Sequence, residues 1–291
     1  MTKIATNYYG YFYDIRHIEE EEAQAYRDGL SDIQNRRIDG FVIKNVLAPE
    51  EIEKLLSNIE KQKEDIRTKV RTGYTFPRAF AEADKNISAE NPFENNFLEW
   101  QQWRSKFPQM FEVDVESRLT TIFSYMAGGK DVKILPGPGN VGCYTPLTIR
   151  VFHPNLGGIP VHCGNMFEEL NPTLYADLIS KVFTKNQMSF FILLQAPQRG
   201  GQLTLYDLEW EKGQESRGDS EIKLSDGSVI DTSVEGTIDK FFLKMNPGDM
   251  FIFAAGEIWH RVECPLGKTD RITLGGFLGF TKDGKSVTYW S

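Results

Sequence analysis

Cysteine is scarce. The 291-residue sequence has three, Cys143, Cys163 and Cys264, widely separated and odd in number. That argues against a disulfide framework or a cysteine-built zinc site and predicts a reduced, cytoplasmic, soluble protein. Positive charge is also in deficit: the formal net charge is −8, whereas a nucleic-acid binder would show a basic patch or stripe. No apolar run approaches the roughly 18 residues of a membrane span. Met1 to Glu22 alternates aromatic and charged residues and lacks the apolar stretch of a signal peptide. No nucleic-acid or membrane partner is therefore expected. Core-forming residues, in contrast, are plentiful. Hydrophobic residues make up 40%, with 20 Phe and 11 Tyr, enough for a sizeable core. No internal repeat or linker splits the chain, so residues 1–291 read as one domain, within the range of single all-β sandwiches and barrels.

Residues 1 to about 37 are polar, and the run Glu19 to Glu22 reads as a solvated helix face. Gly40 to Leu47 reads as a strand. Pro49 then stands at a first helical position, followed by Glu50 and Glu51 and by Ile52, Leu55, Leu56 and Ile59 at helical spacing. Residues 72–98 look like a loop, broken by Gly73, Pro77, Asn86 and Pro92. Their aromatics, Tyr74, Phe76, Phe80, Phe93 and Phe97, either line an apolar substrate cavity or pack the loop onto a sheet. Helical patterning returns from about Leu98 to Met126, so 1–130 is the helix-rich part.

From about residue 141 the signal changes to strands. Leu147, Ile149 and Val151 alternate with Thr148 and Arg150. Pro172 to Phe183 reads as a short helix, Ser189 to Leu194 as an apolar strand, and Arg199 to Tyr206 as a Gly-Gly turn entering another. Pro247-Gly248-Asp249 is a turn delivering Met250 to Phe253, and Arg271 to Phe280 is the last long strand. Residues about 209–240 are polar and acid-rich, with no visible core, and read as an insertion: a mobile lid or a surface excursion, turning at Ser225 to Ser228. The fold class is mainly β with flanking helices, a double-stranded β-helix (jelly-roll, cupin-like) core.

His162, His260 and Arg271 stand in the order in which a jelly-roll oxygenase presents two iron ligands and its 2-oxoglutarate anchor. Such sites usually hold Fe(II) with two His and one carboxylate. Positions 162 and 164 of a strand point to one side, so a carboxylate is expected at 164, and Cys163 should face away. Residue 164 is glycine. Fe(II), two neutral imidazoles, a carboxylate and doubly charged 2-oxoglutarate sum to one negative charge. Without the carboxylate the site is neutral and has room, and a halide can restore the charge. Arg271 offers a donor fork for the distal carboxylate of 2-oxoglutarate, with Thr148, Arg150 and Thr273 at the same polar parity. Other readings stay open: water in the vacancy, giving a hydroxylase or oxidase; a glycine required by a tight bulge in a non-catalytic ligand-binding jelly roll; or a carboxylate from Glu168 or Glu169, neither in strand register with His162.

The sequence resembles the free-standing Fe(II)/2-oxoglutarate halogenases of cyanobacterial hapalindole-type indole alkaloid biosynthesis, the welwitindolinone and ambiguine halogenases. The likeness runs through Tyr144-Thr145-Pro146, Thr148-Ile149-Arg150, Val161 to Asn165, Ser189-Phe190-Phe191, Gly200-Gly201 and Leu208-Glu209-Trp210. It continues through Pro247 to Met250, His260-Arg261-Val262, Gly275 to Leu278 and the terminal Tyr289-Trp290-Ser291, while the N-terminal half departs more. The resemblance implies that His162 and His260 bind iron, that Gly164 opens the halide site and that Arg271 holds 2-oxoglutarate. It also implies that Ser189 steers chlorine transfer over hydroxylation and that 209–240 moves over the substrate. Fe(II), 2-oxoglutarate, chloride and O2 are the implied cofactors. The expected partner is an apolar small molecule not tethered to a carrier, with a role in natural product biosynthesis.

Overall fold

The computed structural model describes residues 12–61, 67–80, 94–137, 142–170 and 172–291. Two sheets enclose the core. The larger runs, in spatial order, through Ile15–Glu19, Gly40–Lys44, Met250–Phe253, Met188–Gln195, Arg271–Phe280, Thr148–Phe152, Gly73–Phe76 and Thr68–Val70. Ser286–Trp290 also pairs with Arg271–Phe280 and carries Asp131–Ile134 in parallel. The smaller sheet orders Lys240–Phe242, Leu203–Glu209, Ile258–Val262 and Ile159–His162. Phe251, Ile192 and Leu274 of the first share one apolar cluster with Leu205, Ile258 and Val262 of the second. This is a jelly-roll arrangement.

The strand Met250–Phe253 reads as an unbroken apolar run because neighbouring elements cover both of its faces. Met250–Phe253 is buried at every position, between Gly40–Lys44 and Met188–Gln195. Helices cover the outside. Pro49–Lys61 buries Ile52, Leu55 and Ile59, and the Glu51 carboxylate accepts a hydrogen bond from the Ala48 N–H at 2.8 Å, closing its first turn. Val115–Met126 is capped by Asp114, which accepts from the Ser117 N–H, and lays Phe123 edge-on against Phe190 and Tyr289. Among the described residues no helix is long and apolar enough to cross a membrane.

Three expectations change. Within 72–98, Gly73–Phe76 is a strand, hydrogen-bonded to Thr148–Phe152 and to Thr68–Val70. Phe76 and Phe80 are in the core, Phe76 against Trp103 and Phe111, Phe80 against Tyr144 and Tyr175. Packing, not pocket lining, explains these two; Phe93 and the Phe97 side chain lie outside the described residues. Second, 209–240 has a core. Gly213–Arg217, Glu221–Leu224 and Val229–Asp231 form an antiparallel meander whose Ile222 is fully buried in a cluster with Val161, Cys163, Tyr206 and Trp259. Its turn falls at Ser225 to Ser228 as expected, with the Leu224 N–H donating to the Ser228 carbonyl. The Ser216 hydroxyl donates to the Val161 carbonyl at 2.7 Å, tying the meander to the His162 strand. Third, that strand stops at His162, and the helix Gly164–Leu170 begins immediately after. The strand period therefore does not set the direction of residue 164.

Candidate active site

His162 and His260 are directly opposite one another on antiparallel strands of the smaller sheet, with ring centroids 4.2 Å apart. Each ring donates from Nδ1 to a carbonyl two residues earlier, His162 to Pro160 at 2.8 Å and His260 to Ile258 at 2.7 Å. A carbonyl can only accept, so Nδ1 carries the proton in both rings and Nε2 keeps its lone pair. Burial lowers the pKa of both imidazoles, and that of His260 lies well below its ordinary value through burial first and the adjacent His162 second. Two neutral nitrogen donors are thus presented side by side.

Arg271 opens the longest strand of the larger sheet. It is 5% exposed, lies 5.9 Å from the Phe152 ring centre and 5.5 Å from that of Phe191, and donates to the Thr273 hydroxyl at 3.4 Å. Among the described residues no acidic side chain pairs with it. Burial, with Arg150 nearby, pulls its pKa down to about 10. An enclosed cation without a protein anion is a receptor for a ligand carboxylate.

One cavity of about 370 Å³ joins these groups. His162, His260, Gly164, Ser189, Arg150, Arg271 and Thr273 line it, within a mostly apolar wall that includes Ile159, Phe167, Leu203, Phe253 and Phe277. The Ser189 hydroxyl donates to the Gly276 carbonyl at 3.3 Å. Cys163 faces away, its thiol donating to the Gly256 carbonyl inside the apolar cluster, where burial pushes its pKa up. Thr148 is the exception among the expected site residues. It shares a sheet face with Arg150 and Thr273 but is wholly enclosed, does not line the cavity, and its hydroxyl has no hydrogen-bond partner. The difference is position along the strand: Arg150 pairs with Thr273, whereas Thr148 pairs with Gly275, two residues further from Arg271. Thr75 and Tyr175 also line the cavity and were not anticipated. Thr75 is opposite Arg150 in the unrecognised strand, and Tyr175 projects from a short helix whose pattern showed only core spacing.

Gly164 has close neighbours. A Cβ there would lie 3.0 Å from each of the Ala255 carbonyl oxygen, the Gln187 Nε2 and the Gly256 Cα. No cluster of three His, Cys, Asp or Glu that could hold a metal occurs among the described residues, so no described acid replaces the missing one; the Glu169 side chain lies outside them. Glu168 is engaged elsewhere, accepting from the Thr184 hydroxyl. The two Nε2 donors and the unpaired Arg271 nevertheless fit Fe(II) and 2-oxoglutarate.

The jelly roll and this donor set define a protein of the Fe(II)/2-oxoglutarate-dependent oxidoreductase class. More narrowly, the chain belongs to the family described as carrier-protein-independent halogenase WelO5, which it matches over residues 12–291. Its substrate is accordingly a free small molecule. Two solved structures of an N-substituted L-amino acid dioxygenase from Burkholderia ambifaria AMMD, one in complex with alpha-KG, resemble it. They are 17% and 15% identical, with TM-scores of 0.50 and 0.51, and each alignment covers 90% of both chains. At that identity they share the fold. A comparison with curated proteins gives no match. Family membership sets aside the non-catalytic reading.

Proposed function

We propose that the protein chlorinates an unactivated aliphatic carbon of a free, largely apolar small molecule, an indole alkaloid or similar polycycle. The observation that carries this reading is Gly164. It borders the cavity beside two paired histidines, and no described acid supplies a third charge. In this reading His162 and His260 hold the iron and Arg271, steadied by Thr273, holds the far carboxylate of 2-oxoglutarate. Chloride fills the position beside Gly164, and Ser189 steers the transfer. Fe(II) with 2-oxoglutarate and O2 supplies the oxidising power to remove a hydrogen atom, and the halide supplies the atom that replaces it. The chain's own part is to keep both imidazoles neutral, neutralise the cosubstrate's tail and exclude water with an apolar wall.

The crowding at Gly164 favours a second reading, in which packing demands glycine and water occupies the open position, giving a hydroxylase. Anaerobic chloride titration of the Fe(II)/2-oxoglutarate complex, followed by its visible charge-transfer band, separates the two. A saturable change is expected; a band indifferent to chloride supports the hydroxylase. Gly164→Ala adds the crowding Cβ without charge, and Gly164→Asp adds both. Loss of the chloride response in Asp but not in Ala assigns the effect to the carboxylate, and undiminished chlorination by Gly164→Asp overturns the halogenase reading.

A further inference from the structure

A halide beside Gly164 would be paired with iron, and a hydrogen-bond donor next to it would further offset the cost of moving the anion out of water. The Gly164 N–H is committed to the Ala255 carbonyl at 2.8 Å, and the Asn165 N–H to the Gly256 carbonyl at 3.1 Å. The Cys163 thiol is committed to that same Gly256 carbonyl. Of the three atoms that a Cβ on Gly164 would meet, the Ala255 oxygen is an acceptor and repels an anion, and the Gly256 Cα is apolar. The third is the side-chain amide nitrogen of Gln187.

Gln187 is 2% exposed, and among the described residues its side chain has no hydrogen-bond partner. Its backbone is held on both sides: its N–H donates to the Thr184 carbonyl and its carbonyl accepts from the Gly256 N–H. It lies two residues before Ser189, at the entry to the strand Met188–Gln195. A carboxamide with no partner among the described residues, its N–H₂ end 3.0 Å from where a Cβ on Gly164 would lie, is placed to serve a group bound beside that glycine.

We propose that Gln187 is the halide-positioning residue: its amide N–H donates to the anion beside Gly164 and sets halide affinity. The inference rests on the halogenase reading. A halide there would meet the donor end of the Gln187 carboxamide, its N–H₂ and not its carbonyl oxygen being the end next to Gly164.

The test uses the full chain loaded anaerobically with Fe(II) and 2-oxoglutarate, titrated first with 2-oxoglutarate and then with sodium chloride. Gln187→Leu keeps the bulk and removes the donor; Gln187→Glu keeps the shape and places negative charge toward the anion. Hydrogen bonds to charged groups are strong enough that Leu should weaken chloride binding roughly tenfold or more, and Glu should abolish it. Affinity for 2-oxoglutarate should stay within about twofold in both, on the reasoning that Gln187 does not border Arg271. Chloride affinity unchanged in Gln187→Leu overturns the proposal. So does equal weakening of chloride and 2-oxoglutarate in both variants, which would make Gln187 a packing residue. A wild-type protein indifferent to chloride would instead overturn the halogenase reading, and this proposal with it.

Discussion

Replacing Arg271 by Met should move stability and cosubstrate affinity in opposite directions. The guanidinium is buried without an acidic partner, and its environment pulls its pKa from 12.5 to about 10. That drop corresponds to about 3 kcal/mol against the charged form. At pH 7 the arginine is charged in both folded and unfolded chains, so the whole cost is present there and is relieved only as pH rises past about 10. The Phe152 and Phe191 faces offset part of it. Methionine fills the same channel without charge, so the metal-free Arg271→Met protein should be more stable by about 1–3 kcal/mol, a rise of several degrees in Tm. Removing one member of a buried charge pair costs about 2–5 kcal/mol of binding. Affinity for 2-oxoglutarate should therefore fall by about thirtyfold or more. Thermal unfolding of the metal-free protein and anaerobic 2-oxoglutarate titration of the Fe(II) form measure the two effects. A variant that is less stable yet binds 2-oxoglutarate as well as wild type would show that Arg271 is a structural residue and refute the reasoning.

Thr148→Val removes a buried hydroxyl that has no partner. It should stabilise the fold by about 1 kcal/mol in denaturant unfolding and leave 2-oxoglutarate affinity unchanged; weaker binding would restore Thr148 to the site. Ile222→Ala should cost about 2–4 kcal/mol and also weaken Fe(II) binding, because Ile222 packs in the cluster that holds Val161 and Cys163 on either side of His162. Normal iron affinity in that variant would show the meander to be independent of the site. Stability of the metal-free protein should fall as pH drops through about 6.5. There the unfolded chain's histidines take up protons that the folded His162 and His260, with lowered pKa values, refuse. Chemical denaturation across that range should show a shallower slope in the His162→Gln/His260→Gln double variant. Some slope should remain, since burial lowers the pKa of His17 in the same direction.

What could be read from the sequence follows from which interactions are local. The strand Arg271–Phe280 and the helix Pro49–Lys61 were legible because alternation, turns and caps lie within a few residues of the segment they shape. The pairing of His162 with His260 was anticipated as chemistry, whereas its geometry comes from sheet register. Gly73–Phe76 was not legible: four residues among breakers become a strand only because Thr148–Phe152 offers it an edge. Ile222 looked like a stray apolar residue, because Trp259 and Val161, which bury it, are far away in the chain. Gly164 combines both cases. Its identity was visible, and so was the lost carboxylate, but the groups pressing on it come from residues 187, 255 and 256. Those contacts bear on how such a site arises. Where backbone of the turn at 255–256 already stands 3.0 Å from any Cβ, glycine relieves the packing and removes the charge in one substitution. The reverse change is harder. An aspartate at 164 must displace the 255–256 backbone and the Gln187 amide as well as bind metal, so Gly164→Asp alone should lose chloride without gaining a well-formed carboxylate ligand. A proficient hydroxylase would need a smaller residue at 187 as well.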